Sequence, residues 1–350
     1  MILFVVDQVA GAEYIYPLIR KWLESGKTDW RIVASPVSSA FLGRHEIPHE
    51  QIAEQDASQA LGILDRFAFD RALVSTSIGS KLEREFVREL RRRLIPCSQL
   101  IDNWVNFSKR FERPSGGGEP ERVYPDKILT LDDGAKRDMI REGIPEGLIE
   151  IVGQPYFEHQ ARVIRSEPRQ TSFKALLVTQ PVARFYGERL GYDEISFTQD
   201  CLDAWGASGH PWQNISLCVH PAEDIETYRS LLARYSPMIR LISSRELSLR
   251  RDYSLVLGMF SSLLVQALLA EVPCASVQIG RKEEDLCSLS RNGSIPRMEG
   301  REELVEFLSH PERIRDSNRG ADAFGRAIEG SCRRLENFLL HDLRSDVRGR

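Results

Sequence analysis

Ile215-Ser216-Leu217-Cys218-Val219-His220-Pro221 and Leu255-Val256-Leu257-Gly258-Met259-Phe260-Ser261-Ser262-Leu263 decide how this chain is read. Each is a short apolar run that ends in polar residues. Short apolar runs of this kind suit strands buried on both faces of a parallel sheet. In such sheets the strand ends gather on one edge, and ligands bind there. A histidine at one strand end, with two hydroxyls at a helix start nearby, would make a phosphate cradle. Helix N-termini carry free N–H groups and a positive dipole end. The pair therefore points to a nucleotide. Each member also has a plainer reading. Serine is a common N-cap, and His-Pro can be a strand-end turn in which His220 caps the next helix. His-Pro recurs at His210-Pro211 and His310-Pro311, but only His220 follows an apolar run.

Working outward, apolar runs alternate with amphipathic stretches along the whole chain. Ile2–Val6 reads as a strand and Tyr14–Ser25 as a helix stopped by Gly26. Strands are expected at 31–34, 72–75, 98–101, 127–131 and 149–152, with helices at 81–93 and 135–142. Gly153-Gln154-Pro155 breaks the pattern. It restarts with strands at 175–179, 215–219, 239–242, 254–257 and 274–278 and helices at 193–206, 225–235 and 263–270. Helices at 301–308 and 322–340 close the chain, and the tail after Leu343 is polar. Such alternation implies parallel sheets with right-handed crossovers. The expected class is α/β: two Rossmann-like parallel-sheet domains facing across a cleft. The expected boundaries are 1–153 for the first domain, 154–172 for a linker helix and hinge, and 173–320 for the second domain. A helix at 321–343 is expected to pack back on the first domain. Pro114-Ser115-Gly116-Gly117-Gly118-Glu119-Pro120 reads as a loop.

The 350 residues are 42% hydrophobic and 28% charged, which suits a soluble globular protein. A net charge of −4 gives no broad basic field for nucleic acid. Arg91-Arg92-Arg93 reads as a solvated helix end. The six cysteines have no CxxC spacing and several sit in apolar runs, as for buried thiols in a reducing compartment. No leader and no membrane-spanning run are read, so a cytoplasmic location is expected. A peripheral membrane contact is left open, as is the oligomeric state.

Further candidates lie at other strand ends. Thr179-Gln180-Pro181, Tyr186-Gly187 and Gly191-Tyr192-Asp193-Glu194 follow the first strand of the second domain. Gln180, Tyr186 and Glu194 are candidates for the nucleotide or its sugar, and Glu194 is equally a first-turn acid. In the first domain, Asp7-Gln8-Val9-Ala10-Gly11-Ala12-Glu13 lacks the dinucleotide GxGxxG pattern. Gly11 is a cleft candidate, Glu13 reads as a first-turn acid or a cleft residue, and Ser77 in Ser75-Thr76-Ser77-Ile78-Gly79-Ser80 as a phosphate or sugar contact in a loop that capping also explains. Asp102-Asn103-Trp104-Val105-Asn106-Phe107 with Arg110 is the densest polar–aromatic cluster. It suits sugar recognition, with Asn103, Trp104, Asn106 and Arg110 as contacts. It equally suits a loop anchored in the core by Trp104 and Phe107. Asp132-Asp133-Gly134 could supply a general base or cap the following helix.

On these residues the chain resembles the GT-B glycosyltransferases. The segment Pro125-Asp126-Lys127-Ile128 … Gly143-Ile144-Pro145 … Ile151-Val152-Gly153-Gln154-Pro155 is similar to the end of their N-terminal domain. Ser261-Ser262 … Gln266-Ala267 … Val272-Pro273 is similar to their donor-binding helix, with Gln266 where a glutamate often holds the ribose. His220-Pro221 with Ser261-Ser262 resembles the paired motifs of bacterial transferases that use CMP-activated sialic acid or Kdo. The resemblance implies that His220, Ser261 and Ser262 meet the donor phosphate. It also implies that Asp132-Asp133-Gly134 is the third motif, with Asp133 as base.

The expectation is a glycosyltransferase of surface-polysaccharide assembly. It would use a nucleotide-sugar donor, CMP-linked acidic sugar ahead of UDP-sugar, and a glycan or glycoconjugate acceptor. His220 would act at the leaving group, and Asp133 or Asp102 would serve the acceptor hydroxyl. No metal or other cofactor is expected. Two rivals stand beside it: a nucleotide-sugar epimerase or hydrolase on the same fold, and a non-catalytic nucleotide-binding or scaffold protein.

Overall fold

The computed structural model describes residues 1–52, 61–113, 121–169, 171, 173–243, 247–317 and 320–341. The Pro114–Pro120 loop and the tail after Leu343 lie outside them. The chain divides into two compact units. One is Met1–His159 together with the chain from Ala327 onward, and the other is Gln160–Arg326.

The first unit is built on β1 (Ile2–Val6), β2 (Trp30–Ala34), β3 (Glu50–Gln51), β4 (Arg71–Val74) and β5 (Cys97–Leu100). A short antiparallel pair follows, β6 (Glu112–Arg113) with β7 (Glu121–Arg122), and then β8 (Lys127–Thr130) and β9 (Ile149–Ile151). Seven of these form one parallel sheet in the order β3-β2-β1-β4-β5-β8-β9. β1, β4 and β5 are buried at every position, and β1 accordingly reads as a continuous apolar run. The helix Val9–Glu24 covers one face through Ile15, Leu18, Ile19 and Trp22. Trp22 meets Phe4 edge-on at 6.0 Å. This helix starts five residues before the position expected from its apolar spacing. Its first turn is made of small residues that carry no periodicity. Gly11 is required there because a Cβ would lie 2.6 Å from Ser75 Cβ.

The helix Ser331–Leu340 packs on the same unit. Leu335, Phe338 and Leu339 join the core around Ile19 and Trp22. Trp22 Nε1 donates to Glu336 at 2.8 Å, and Arg334 Nε donates to the Val152 carbonyl at 2.9 Å. Gly153 has φ +92°, and a Cβ on it would lie 2.1 Å from Ser331 Oγ. Ser331 Oγ accepts from Gln154 N at 3.1 Å, and Tyr14 donates to the Gly153 carbonyl at 2.8 Å. Gly153→Ala is therefore expected to destabilise the first unit by roughly 2–4 kcal/mol, from backbone strain and overpacking. Urea unfolding checks it. A change below about 0.5 kcal/mol, the size of a neutral surface substitution, would contradict the tight docking described.

The second unit carries β10 (Ala175–Val178), β11 (Ile215–Cys218), β12 (Arg240–Ile242), β13 (Leu255–Gly258), β14 (Cys274–Val277) and β15 (Arg297–Met298). All are parallel, in the order β12-β11-β10-β13-β14-β15. Leu177, Leu217 and Leu257 share one core with Phe197, Trp205 and Tyr228. The chain runs outward from β10 to β12, then crosses back to β13 on the other side of β10. The topological switch point lies between β10 and β13, where open α/β sheets bind ligands. Its counterpart in the first unit lies between β1 and β4. Among the described residues, no helix is long and apolar enough to cross a membrane.

Candidate functional site

The edge at the carboxyl ends of β10, β11 and β13 brings together most of the residues expected to meet a donor. Val178 is in register with both Cys218 and Gly258, so the three strands end level. Gln180 spans the switch point: its Oε1 accepts from Phe260 N at 2.9 Å. Ser261 is the N-cap of the helix Ser262–Leu269, its Oγ accepting from Leu263 N at 3.2 Å. The capping reading of Ser261 is thus part of the structure. Ser262 follows, exposed at the first helical position. Gln266 is half-buried and lies one turn on, along the same helix face. Gly258 would accept a Cβ only in contact with Leu264 and the Val178 carbonyl.

His220 is exposed, and its Nδ1 accepts from Ala222 N at 3.1 Å. That bond leaves Nε2 as the donor of the neutral ring. Desolvation on its protein side lowers its pKa, which favours the neutral ring. Beneath it, Glu223 collects donors on one oxygen. Oε2 accepts from Thr179 Oγ1, from Tyr228 Oη at 3.1 Å and from His220 N at 3.3 Å. Its Oε1 is buried without a hydrogen-bond partner among the described residues. Burial raises the Glu223 pKa, and Glu194 adds to the effect. Thr179 stands in the loop quoted after the first strand but not among its candidates, and Glu223, three residues after His220, carries no signal in the sequence.

Glu194 accepts from Ala183 N at 2.8 Å and so holds the loop after β10, while Asp193 caps its own helix. Tyr186 is half-buried, edge-on to Phe260 at 5.9 Å and under the Arg189 guanidinium at 5.5 Å. The edge thus offers one neutral imidazole donor, one free hydroxyl, a helix N-terminus and an amide, flanked by two rings. This set suits a diphosphate and an attached ring system.

The first unit has its own edge at the ends of β1, β4 and β5. Ser75 Oγ accepts from Asp7 N at 3.1 Å and donates to Glu83. Glu83 also accepts from Ser77 N at 2.6 Å and Ser77 Oγ at 3.0 Å. Ser77 is therefore spent on fastening its loop to a buried carboxylate. Burial, with Asp7 nearby, raises Glu83 from 4.5 to about 7. A carboxyl raised on folding binds more protons folded than unfolded. Its penalty is absent below about pH 4.5 and complete above about pH 7. The full cost is about 3 kcal/mol. Glu83→Gln is expected to remove this loss, flattening the stability profile between pH 5 and 8. Parallel profiles for variant and wild type in urea titrations would refute the assignment.

Glu13 lies on the helix Val9–Glu24, near the same edge. Burial raises its pKa to about 7; a Tyr156 hydrogen bond opposes the rise, Asp102 supports it and Arg44 opposes it. Pro17, inside the helix, has no N–H to give the Glu13 carbonyl. Asp102 is paired with Arg110 at 2.6 Å, and Arg110 Nη1 also donates to the Thr76 carbonyl at 3.0 Å. Tyr156 lies within the expected linker helix 154–172 and is the residue missed here.

The polar–aromatic cluster is mostly scaffolding. Trp104 and Phe107 are buried, Trp104 stacks parallel to Phe157 at 6.0 Å, and its Nε1 donates to Asp132 at 2.6 Å. The core-anchor alternative describes these two rings. Asn103 Oδ1 accepts from Trp104 N, and Asn106 sits at φ +57°. Asp132 is an N-cap, accepting from Ala135 N at 2.7 Å. Asp133 is the exposed residue after it, and its carboxylate has no hydrogen bond or ion pair among the described residues. Also among the described residues, no three His, Cys, Asp or Glu side chains are arranged to hold a metal ion.

No protein-family model and no curated protein sequence matches the chain. Solved structures do. The UDP-GlcNAc 2-epimerase of Neisseria meningitidis, bound to UDP-GlcNAc, aligns over 97% of this chain and 100% of its own. The TM-score is 0.70 at 12% identity. Anabaena HepE in complex with UDP aligns over 97% and 99%, with TM-score 0.64 and 12% identity. The lipopolysaccharide outer core galactosyltransferase WaaB aligns over 97% and 98%, with TM-score 0.54 and 14% identity. The fold is of the GT-B type. At these identities the likeness is one of architecture.

Proposed function

We propose that the chain is a nucleotide-sugar-converting enzyme that acts on the donor alone, as an epimerase or hydrolase does. The observation that carries this reading is Glu13, a carboxyl poised near pH 7 by burial and held by Tyr156. It is suited to move protons at neutral pH without a metal or other cofactor. The leaving diphosphate is held on the second unit by His220 Nε2, Ser262 and the helix N-terminus. These donors stabilise the negative charge that develops as the anomeric bond breaks. Gln180, Tyr186 and Gln266 face the nucleotide or its sugar. Trp104, expected to contact an acceptor sugar, is buried against Phe157, which favours a reaction needing no acceptor. The solved structures quoted above that hold a nucleotide hold UDP or UDP-GlcNAc, so the proposed donor is a UDP-sugar.

Incubation with UDP-GlcNAc or another UDP-sugar alone, followed by proton and phosphorus NMR, tests the reading. A new sugar or free nucleotide formed at a catalytic rate is expected. Turnover that starts only when a glycan acceptor is added would replace it with the transferase reading, for which the architecture of WaaB is the supporting observation. CMP-linked acidic sugar is the second donor arm. Conversion of that donor and of no UDP-sugar would overturn the UDP assignment.

A further inference from the structure

Both backbone polar groups of His220 are tied to Glu223. Glu223 N donates to the His220 carbonyl at 2.9 Å, which closes a turn with Pro221 at its second position. The His220 N–H is shared between Glu223 Oε2 at 3.3 Å and Thr179 Oγ1 at 3.1 Å. Ala222, inside the turn, donates to His220 Nδ1 at 3.1 Å. The turn therefore sets the direction in which Nε2 leaves the ring, and Glu223 holds the turn. Two further donors hold the carboxylate itself: Thr179 Oγ1 from the loop after β10, and Tyr228 Oη from the helix Ile225–Leu232. Three segments thus meet on Oε2, while Oε1 is buried with no hydrogen-bond partner among the described residues. The groups facing this carboxyl are few. Glu194 faces it from the helix Glu194–Ala207, Cys218 from β11 and Tyr228 from its own helix. Burial, and then Glu223, push the Cys218 thiol and the Tyr228 phenol up, so both are uncharged near pH 7. No cation is among these neighbours.

We propose that Glu223 is the positioning residue of the diphosphate edge: it aims His220 Nε2, and it takes up a proton from solvent when a diphosphate binds. The proposal rests on the reading of this edge as a diphosphate site. A carboxylate under the His220 turn repels an anion held by that imidazole, and partly buried charges are poorly screened. The bound anion therefore raises the proton affinity of the carboxyl below it. Oε1 can receive the proton, because no bond to Oε2 has to break. The proton returns to solvent when the diphosphate leaves. Affinity for the diphosphate then falls as pH rises, because at higher pH the charged carboxylate must be neutralised on binding or tolerated beside the ligand.

Calorimetric titration of the full chain with the β-methyl ester of UDP tests the proposal. This probe has no anomeric bond to break and no ionisation of its own near neutral pH. Titrations in two buffers of different ionisation enthalpy count the protons taken up. The wild type should take up a fraction of a proton near pH 7. Its affinity should fall roughly threefold to tenfold from pH 6 to pH 8, the scale of a one-unit pKa shift. Glu223→Gln keeps an oxygen for the three donors and cannot take the proton. It should show less uptake and bind at pH 8 at least as tightly as the wild type. Glu223→Ala leaves the donors without their acceptor and should bind roughly tenfold more weakly at both pH values. Equal proton uptake by the wild type and Glu223→Gln would put the proton on His220 and overturn the proposal. Wild-type affinity in Glu223→Ala would overturn it as well. Binding by the wild type without proton uptake would overturn it and leave the diphosphate site standing, whereas no binding by the wild type would overturn both.

Discussion

Glu13→Gln is expected to lower kcat on the nucleotide sugar by roughly 10²–10⁴-fold, the usual contribution of a positioned acid or base. It should also remove an ionisation near pH 7 from the rate profile. The substitution keeps the size and the hydrogen-bonding capacity toward Tyr156, so the loss is one of proton transfer rather than of packing. The neighbours make the assignment sharper. Tyr156 favours the charged form of Glu13, so Tyr156→Phe should move the inflection to higher pH. Asp102 favours the neutral form, and Asp102→Asn should move it to lower pH. Removing Asp102 also leaves Arg110 as an uncompensated cation nearby, which acts in the same direction. Opposite shifts from two neighbours are not produced by a general loss of structure. Wild-type kcat in Glu13→Gln would exclude the role.

The parts of the fold visible in the sequence were those with a one-dimensional signature. Strands buried on both faces leave runs such as Ile2–Val6 and Leu255–Gly258, and both sheets could be laid out from them. The edge strands Glu50–Gln51 and Arg297–Met298 are two residues long, with Met298 their single apolar side chain, so they left no run to read. The same contrast holds for the site. His220, Ser261 and Ser262 stand directly after strands, and the sheet order alone brings them to one edge. Glu13 was marked only as a cleft residue. The role proposed for it rests on Tyr156 and Asp102, which are distant in sequence, and on burial that composition does not reveal. Asp132-Asp133 shows the converse. A motif-like acid pair at a strand end proves to be one helix cap and one solvated carboxylate.

The second large effect concerns the diphosphate. His220 and Ser262 touch it through a hydrogen bond each in the proposed complex, and hydrogen bonds to a charged group are the strong ones. Loss of both should weaken binding by roughly 10²-fold or more. Both side chains are exposed and His220 contributes only a local turn, so the double variant should melt with the wild type. Isothermal titration of UDP into the wild type and into His220→Ala/Ser262→Ala, with CMP as a parallel ligand, therefore tests the central claim. The prediction is saturable UDP binding by the wild type and its near loss in the double variant. Equal UDP affinity in the two proteins, or no UDP binding by the wild type, would contradict it.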